Sequence, residues 1–361
     1  MPLSMAVATN WSELPKDLLD QIWERLDNEI DLIRFRSICS HWRSSSIPNR
    51  HSIVIVKFPL PKNILPDLNI KTSFCHLSKR KTFLIKPPPQ QTLARPWLMR
   101  ITQISRGKNK LIHPLFSYDS PSTNFHLPQL IDFNKLSVLH LVTDFILDDE
   151  FCSKFDLDLP KKVISVEKQS LVLGVSQNSV LFRSRNQRWR KILNFSTTDG
   201  DICVFKERFY AVDRFGTTFM VRPDSTVELV AELDDFGGNR KLFVESEGEL
   251  LLVDMHMHES SRLRIEVFKL CEKEKKWIKL KNLARKVLFL GHGCSFSAST
   301  LDLGVSKGNC VIFIDDAFLS FMDLHGGKCV FHLDQGRLSP MSHYPEYFDL
   351  FWPPPDWIFK S

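Results

Sequence analysis

Apolar residues at four-residue steps, Leu14, Leu18, Ile22 and Leu26, with Leu19 beside them, stand out from a polar background near the start of the chain. That period draws a stripe along an amphipathic helix, so the pattern predicts a helix that begins at Pro15 and buries the stripe. Asp17 and Asp20 fall in its first turns, where the positive end of the helix dipole favours carboxylates, and Asp27-Asn28 makes a polar break. A second apolar pattern follows in Leu32, Ile33, Phe35, Ile38 and Cys39, with Arg34 and Arg36 interspersed. Ser40 is placed to cap a short third helix containing Trp42.

After Pro48 the period changes to short runs of strand formers separated by turn residues. His51 to Lys57 is the first run, and prolines at 59, 61, 66 and 87–89 punctuate what comes next. From Pro96 onward strands are expected in close succession, among them Trp97–Thr102, Ser137–Val142, Lys162–Val166, Phe209–Asp213, Leu250–Asp254, Val287–Leu290 and Cys310–Ile314. So many strands with so few helical segments predict an all-β solenoid, barrel or propeller. Three stretches read as one repeated hairpin: Val180–Ser184 with Trp189–Ile192, Phe219–Arg222 with Val227–Val230, and Val267–Leu270 with Trp277–Leu280. The recurrence of Phe182, Phe219 and Phe268 is close to the length of a four-stranded propeller blade, which predicts six or seven blades. Phe209–Asp213 and Leu250–Asp254 are expected as inner strands, and the aromatics Tyr344, Tyr347, Phe348, Phe351, Trp352 and Trp357 as the closure of the ring. The expected organisation is a flexible N-terminus (1–10), a helical module (11–48), a basic, Pro-rich connector with first strands (49–95) and a propeller (96–361).

Three short helices cannot enclose a sufficient core alone, so the module needs a partner surface. The order Leu14-Pro15, then Leu18-Leu19, Ile22 and Leu26, then Asp31-Leu32, Phe35-Arg36, Cys39 and Trp42-Arg43 resembles an F-box. Further on, Arg95–Arg100 leading to Leu111–Leu115, the run Leu288–Ser297, Gly308–Asp316 and the closing Phe351–Trp357 resemble plant F-box proteins with a KIB-type β-propeller, a group also catalogued as domain of unknown function 295. The resemblance implies a non-catalytic, substrate-recruiting subunit of an Skp-cullin-F-box ubiquitin ligase. Leu14, Pro15, Leu18, Leu19, Ile22, Leu26, Phe35 and Trp42 would carry the contact to an Skp-like adaptor, and through it to the cullin-RING core. The propeller would hold a target protein.

The charge distribution adds a rival. Residues 1–48 hold 5 Lys/Arg against 7 Asp/Glu, residues 49–116 hold 13 against 1, and the rest 30 against 34. The basic stretch includes Lys79, Arg80, Lys81, Arg106, Lys108 and Lys110, and a regulatory protein that binds nucleic acid through it is the alternative. Its aromatics show no regular interleaving with the basic residues, which favours solvated strand edges instead.

Chemistry has little foothold elsewhere. The eight cysteines form no Cys-x-x-Cys, as suits free thiols in a reducing compartment. No apolar run approaches the length of a membrane helix and no secretory leader is evident, so the expected location is intracellular, in the nucleus or cytoplasm. His256 and His258 are too few for a closed zinc site, and read as a polar strand end near a turn. Gly291-His-Gly-Cys-Ser lacks the Gly-x-Ser-x-Gly order of a nucleophile elbow and reads as a blade turn. The pairs Asp148-Asp149, Asp234-Asp235 and Asp315-Asp316 point to opposite faces of a strand, so none makes an acid and base. No nucleotide loop, metal set or cofactor is expected.

Overall fold

A computed structural model describes residues 11–26, 29–45, 57–59, 74–88, 90–91, 94–105, 108–115, 136–148, 162–166, 171–176, 179–184, 190–192, 200–233, 238, 240–257, 263–291, 293–314, 328–351 and 353–360. Three helices come first: α1 (Lys16–Arg25), α2 (Glu29–Ser37) and α3 (Ser40–Ser45). Pro15 precedes α1, Asp17 sits in its first turn and Arg25 in its last, and Leu26 leaves it in an extended conformation. Ser40 is the first residue of α3 and not its cap. Cys39 does that work, its carbonyl accepting from the Arg43 N–H at 3.0 Å and its Sγ from the Trp42 N–H at 3.5 Å.

The stripe expected to be buried is not the one that faces inward. Leu19 and Trp23, one turn apart, are buried with Phe35 and Trp42, while Leu14, Ile22 and Leu26 are half-buried and Leu18 is 42% exposed. The reason is volume: tilted contacts of Trp23 with Phe35 (5.5 Å between centroids) and of Phe35 with Trp42 (4.7 Å) fill the small core with rings. The helix therefore rolls to bring its Trp23 face inward.

The strands among the described residues gather into four sheets, and not into six or seven blades. The first holds nine: β1 (Lys57–Pro59), β2 (Phe74–Lys86), β3 (Trp97–Ser105), β4 (Lys108–Ile112), β5 (Ser137–Asp148), β6 (Lys162–Val166), β7 (Leu171–Ser176), β8 (Ser179–Ser184) and β9 (Arg190–Lys191). Its order is β4-β3-β2-β5-β6-β7-β8-β9, with β1 on β2, and its two halves join through the single pair Phe145↔Val163. The second sheet is β10 (Asp201–Phe205), β11 (Arg208–Val212), β12 (Thr218–Val221) and β13 (Val227–Ala231) in sequence order. The third repeats that plan with β14 (Arg240–Ser246), β15 (Glu249–Met257), β16 (Leu263–Cys271) and β17 (Lys276–Lys279). The fourth contains β18 (Lys286–Gly291), β19 (Cys294–Ser299), β20 (Cys310–Ile314), β21 (Lys328–His332) and β22 (Arg337–Pro340), ordered β19-β18-β20-β21-β22. There β18 and β20 run parallel, joined across by the short helix α4 (Thr300–Leu303).

The interval between the repeated phenylalanines holds only within the regular sheets and does not extend over the whole chain. The stretches between Ile112 and Ser137 and between Ile314 and Lys328 contribute no described strand. The three repeated hairpins are real: β12–β13 and β16–β17 are the third-to-fourth strand connections of their sheets, and β8–β9 is the matching connection in the β6–β9 half of the first sheet. Phe209–Asp213 and Leu250–Asp254 are second strands and not inner ones. Second strands are covered on both faces and flanked on both edges, so they carry the most continuous apolar runs, as in Leu250–Val253, each 2% exposed or less. Inner strands border the central cavity and are broken by polar residues. The inner strands are β5, β6, β10, β14 and β19, each in contact with the next around a ring that closes from β19 back to β5.

A tail containing α5 (Pro345–Phe348) seals one side of the ring. The Leu98 N–H donates to the Leu350 carbonyl (2.7 Å), Trp97 Nε1 to the Phe351 carbonyl (2.6 Å) and Trp357 Nε1 to the Arg95 carbonyl (3.2 Å). Tyr347, Phe351 and Trp357 are buried as the closure requires, whereas Phe348 is exposed and Trp352 lies outside the described residues. Trp357 and Ile358 share a cluster with Ile30 of α2 and with Phe83, Trp97 and Met99. Arg34 Nη2 also donates to the Leu136 carbonyl at 3.0 Å, so helix, tail and propeller meet at one seam.

Candidate functional site

Two regions have the geometry of a site. The first is the outer face of the helical module. Of the eight residues expected to carry the adaptor contact, Leu19, Phe35 and Trp42 are interior and hold the helices together, while Pro15 and Leu18 are exposed and Leu14, Ile22 and Leu26 half-exposed. The structure thus splits the set into a scaffold and a surface. Two apolar residues of the module outside the set are exposed as well, Trp11 at 64% and Ile38 at 53%. Trp11 is tied to the scaffold because its carbonyl accepts from Trp42 Nε1 at 2.8 Å, and His41 Nε2 lies 3.0 Å from the Leu14 carbonyl. A shallow groove of about 480 Å³ beside it is bordered by Ile22, Leu26, Arg34 and Ile38. So much exposed apolar side chain on so small a module marks an interaction surface.

The second region is the central cavity of about 850 Å³ bounded by the five inner strands. Its wall on β19 alternates: Cys294, Phe296 and Ala298 point into the core, and Ser295, Ser297 and Ser299 are half-buried on the cavity side. That alternation was present in the sequence as Cys-Ser-Phe-Ser-Ala-Ser, the signature of one dry and one wet face. Lys162 Nζ is bidentate on Asp201 (2.7 and 2.9 Å), and Asp201 Oδ2 also accepts the Phe243 N–H at 2.9 Å, fastening three inner strands together. Burial pushes the Cys294 thiol up to about 11, so it is not a nucleophile at neutral pH. His140, exposed at the cavity rim with Nε2 2.9 Å from Thr143 Oγ1, is lowered to about 4 by desolvation against its neighbours and by the charges of Lys81 and Lys79.

The basic stretch is not brought together as one patch. Arg80 is 4% exposed and bound to Asp144 (Nε to Oδ2, 2.7 Å), which also holds the fully buried Arg100. Lys79 and Lys81 are half-buried on β2, Lys108 and Lys110 lie on β4 with Lys110 exposed, and Arg106 lies outside the described residues. Strand alternation turns Arg80 away from its neighbours, so the Lys-Arg-Lys triplet divides between two faces. Residues 74–86, within the stretch expected to hold the connector and first strands, form the strand between β3 and β5.

The remaining candidates resolve into structure. His256 is the penultimate residue of β15, at the strand end, but is buried at 8% exposure, with Nε2 2.9 Å from Asp254 Oδ2 and without hydrogen-bond alignment. His258 lies outside the described residues, as do Asp149, Asp234, Asp235, Asp315 and Asp316. Among the described residues no group of three or more His, Cys, Asp or Glu side chains could hold a metal ion, and no helix is long and apolar enough to cross a membrane. Gly291 and Gly293 serve the β18–β19 turn. A Cβ on Gly291 would meet the Leu115 backbone at 2.9 Å, and Gly293 has φ of 73°.

The sequence is 32% identical over 405 residues to F-box protein SKIP23 of Arabidopsis thaliana, covering 97% of this chain and 95% of that protein. It is also 32% identical over 399 residues to F-box protein At2g17036 of Arabidopsis thaliana, covering 98% and 95%. Residues 74–332, from the first residue of β2 to the last of β21, match the family described as the KIB1-4 beta-propeller. On that match, and on relatives that align almost end to end, the chain belongs to the KIB1-4 β-propeller family.

Proposed function

We propose that the protein is a substrate-recruiting F-box subunit of an Skp-cullin-F-box ubiquitin ligase. The helical module docks an Skp-like adaptor through Pro15, Leu18 and Ile38 with Leu14, Ile22 and Leu26 at the margin, and the propeller holds the target. The observation that carries the reading is the split of the module into a ring-filled interior and an apolar exterior. Such an exterior is costly to leave in water and suits a helix-in-groove partner. Relatives named F-box proteins, aligned over nearly the whole chain, support the same reading.

The subunit acts by proximity, without a catalytic centre of its own. Holding a target beside the charged ubiquitin carrier raises the effective concentration of its lysines. The seam of Ile30, Arg34 and Trp357 makes that geometry reproducible, because helices and propeller are packed together. The free thiols of the described cysteines agree with assembly in a reducing intracellular compartment. A nucleic-acid interface through residues 79–81 loses Arg80 to Asp144, which removes the contiguous charge it needs.

The test is size-exclusion chromatography of the full chain with a purified plant Skp-like adaptor and the N-terminal half of a cullin. Co-elution of all three is expected. Elution of the folded chain apart from the adaptor overturns the proposal.

A further inference from the structure

The wall of the central cavity carries a carboxylate that no described residue pairs with. Glu245 of β14 faces the cavity, and no described residue forms an ion pair with its carboxylate. The other charged groups there have partners: Lys162 is held by Asp201, Lys286 by Glu247 (2.9 Å) and Asp302 by Lys86 (2.6 Å), while Lys79 and Glu207 each interact with another group. Two buried oxygens on the wall have no hydrogen-bond partner among the described residues: Ser246 Oγ, in a residue 1% exposed, and Asp144 Oδ1, in a residue 5% exposed. Ser297 Oγ donates to the Glu245 carbonyl at 3.1 Å, which sets β19 and its row of serines directly beside Glu245.

Glu245 is exposed to the solvent of the cavity, so its carboxylate is open to a ligand, and no described residue supplies it with a counter-charge. Desolvation by the surrounding walls holds its pKa above its ordinary value. A ligand that pairs with it must carry positive charge and hydrogen-bond donors. A cavity of about 850 Å³ is wide enough for a side chain of that kind together with the peptide that presents it.

We propose that the central cavity is the target-binding site and that it takes an arginine or lysine side chain of the recruited protein, with Glu245 as its counter-charge and Ser295 and Ser297 as hydrogen-bonding wall. This deepens the ligase reading and rests on it for the identity of the ligand as a recruited protein. The chemistry of the cavity is independent of adaptor binding.

The probe is a set of fluorescein-labelled seven-residue peptide pools, each with a fixed central Arg, Lys, Gln or Glu and mixed flanks, titrated by anisotropy against the full chain. The Arg and Lys pools are expected to bind about tenfold more tightly than the Gln and Glu pools, the usual worth of a charge-assisted contact. Glu245→Gln is expected to erase the difference while thermal stability and adaptor co-elution stay unchanged. Ser295→Arg, which puts a guanidinium into the cavity from its own wall, should compete and weaken the Arg pool by a similar factor. Equal binding by all four pools, a preference for the Glu pool, or an Arg preference that survives in both variants overturns the proposal. Adaptor binding that fails while the Arg preference holds refutes the ligase reading and leaves the cavity chemistry standing.

Discussion

Lys241 is fully buried, and its Nζ lies 2.6 Å from Asp254 Oδ1 and 3.1 Å from the Gly238 carbonyl. Asp254 is opposite Lys241 on one side and opposite Glu266 on the other, so two carboxylates stand side by side on β15 and β16. Like charges placed directly opposite repel, and this pair is tolerable because each has its own cations. Glu266 is held by Arg264 and Lys279, and Asp254 by Lys241. Replacing Lys241 with Met keeps most of the volume and removes only the ammonium, leaving a carboxylate that is 1% exposed beside Glu266. Breaking a buried pair in this way costs about 3–5 kcal/mol. Replacing both partners, as in Lys241→Met with Asp254→Leu, returns most of that loss, because an apolar pair of similar volume has no charge to desolvate. Native-state hydrogen exchange at the β15 and β16 amides reads the local free energy directly. Protection is expected to fall by roughly two to three and a half orders of magnitude in the single variant and to recover in the double. A single-variant loss below about 1 kcal/mol, or a double variant no better than the single, would refute the view that this pair is an electrostatic unit.

The other predictions concern acid stability and the seam. Asp302 is held below its ordinary value by hydrogen bonds from Lys86 and Ser299, against burial, so the stability it contributes is present above pH 3.8 and is lost as pH falls through the lower folded value. Denaturation midpoints between pH 7 and pH 2.5 should show that acid limb in the wild type and a flatter one in Lys86→Met; identical slopes would count against it. Trp357→Ala removes a ring from the cluster that contains Ile30, at a cost of about 3–5 kcal/mol. Exchange should then rise in α2 as well as in β3, and an α2 that keeps its protection would show that the tail does not tie the helices to the propeller.

Much of this architecture is legible from residue patterns. The helix starts at Pro15 and Ser40 are off by no more than a residue, and most of the expected strands from Trp97 on coincide with those formed, because short apolar runs bounded by turns leave few alternatives. Which helix face turns inward was not legible, since Leu18 and Leu19 are equally apolar and the choice is made by the rings of Trp23, Phe35 and Trp42 across the module. The burial of Arg80 was hidden for the same reason: its partner Asp144 is 64 residues away. Radial position in a propeller also inverts a simple hydrophobicity argument, so the most apolar runs, such as Leu250–Val253, are second strands. The wet face of β19 could have been read from its alternating serines, whereas Glu245 gains its meaning only from the strands that close around it.

The central claim is that the exposed face of the helical module binds an Skp-like adaptor. Isothermal titration of the full chain with a purified plant adaptor tests it most directly, comparing wild type with Leu18→Ala and Pro15→Ala on the surface. If Leu18 is an anchor, its truncation costs about 2 kcal/mol of binding, roughly a thirtyfold loss, with the thermal midpoint unchanged because the side chain is already 42% exposed. Tight binding by the wild type with that loss in Leu18→Ala is the predicted result. Unaltered affinity in both surface variants, or no binding by the folded wild-type chain, would contradict it.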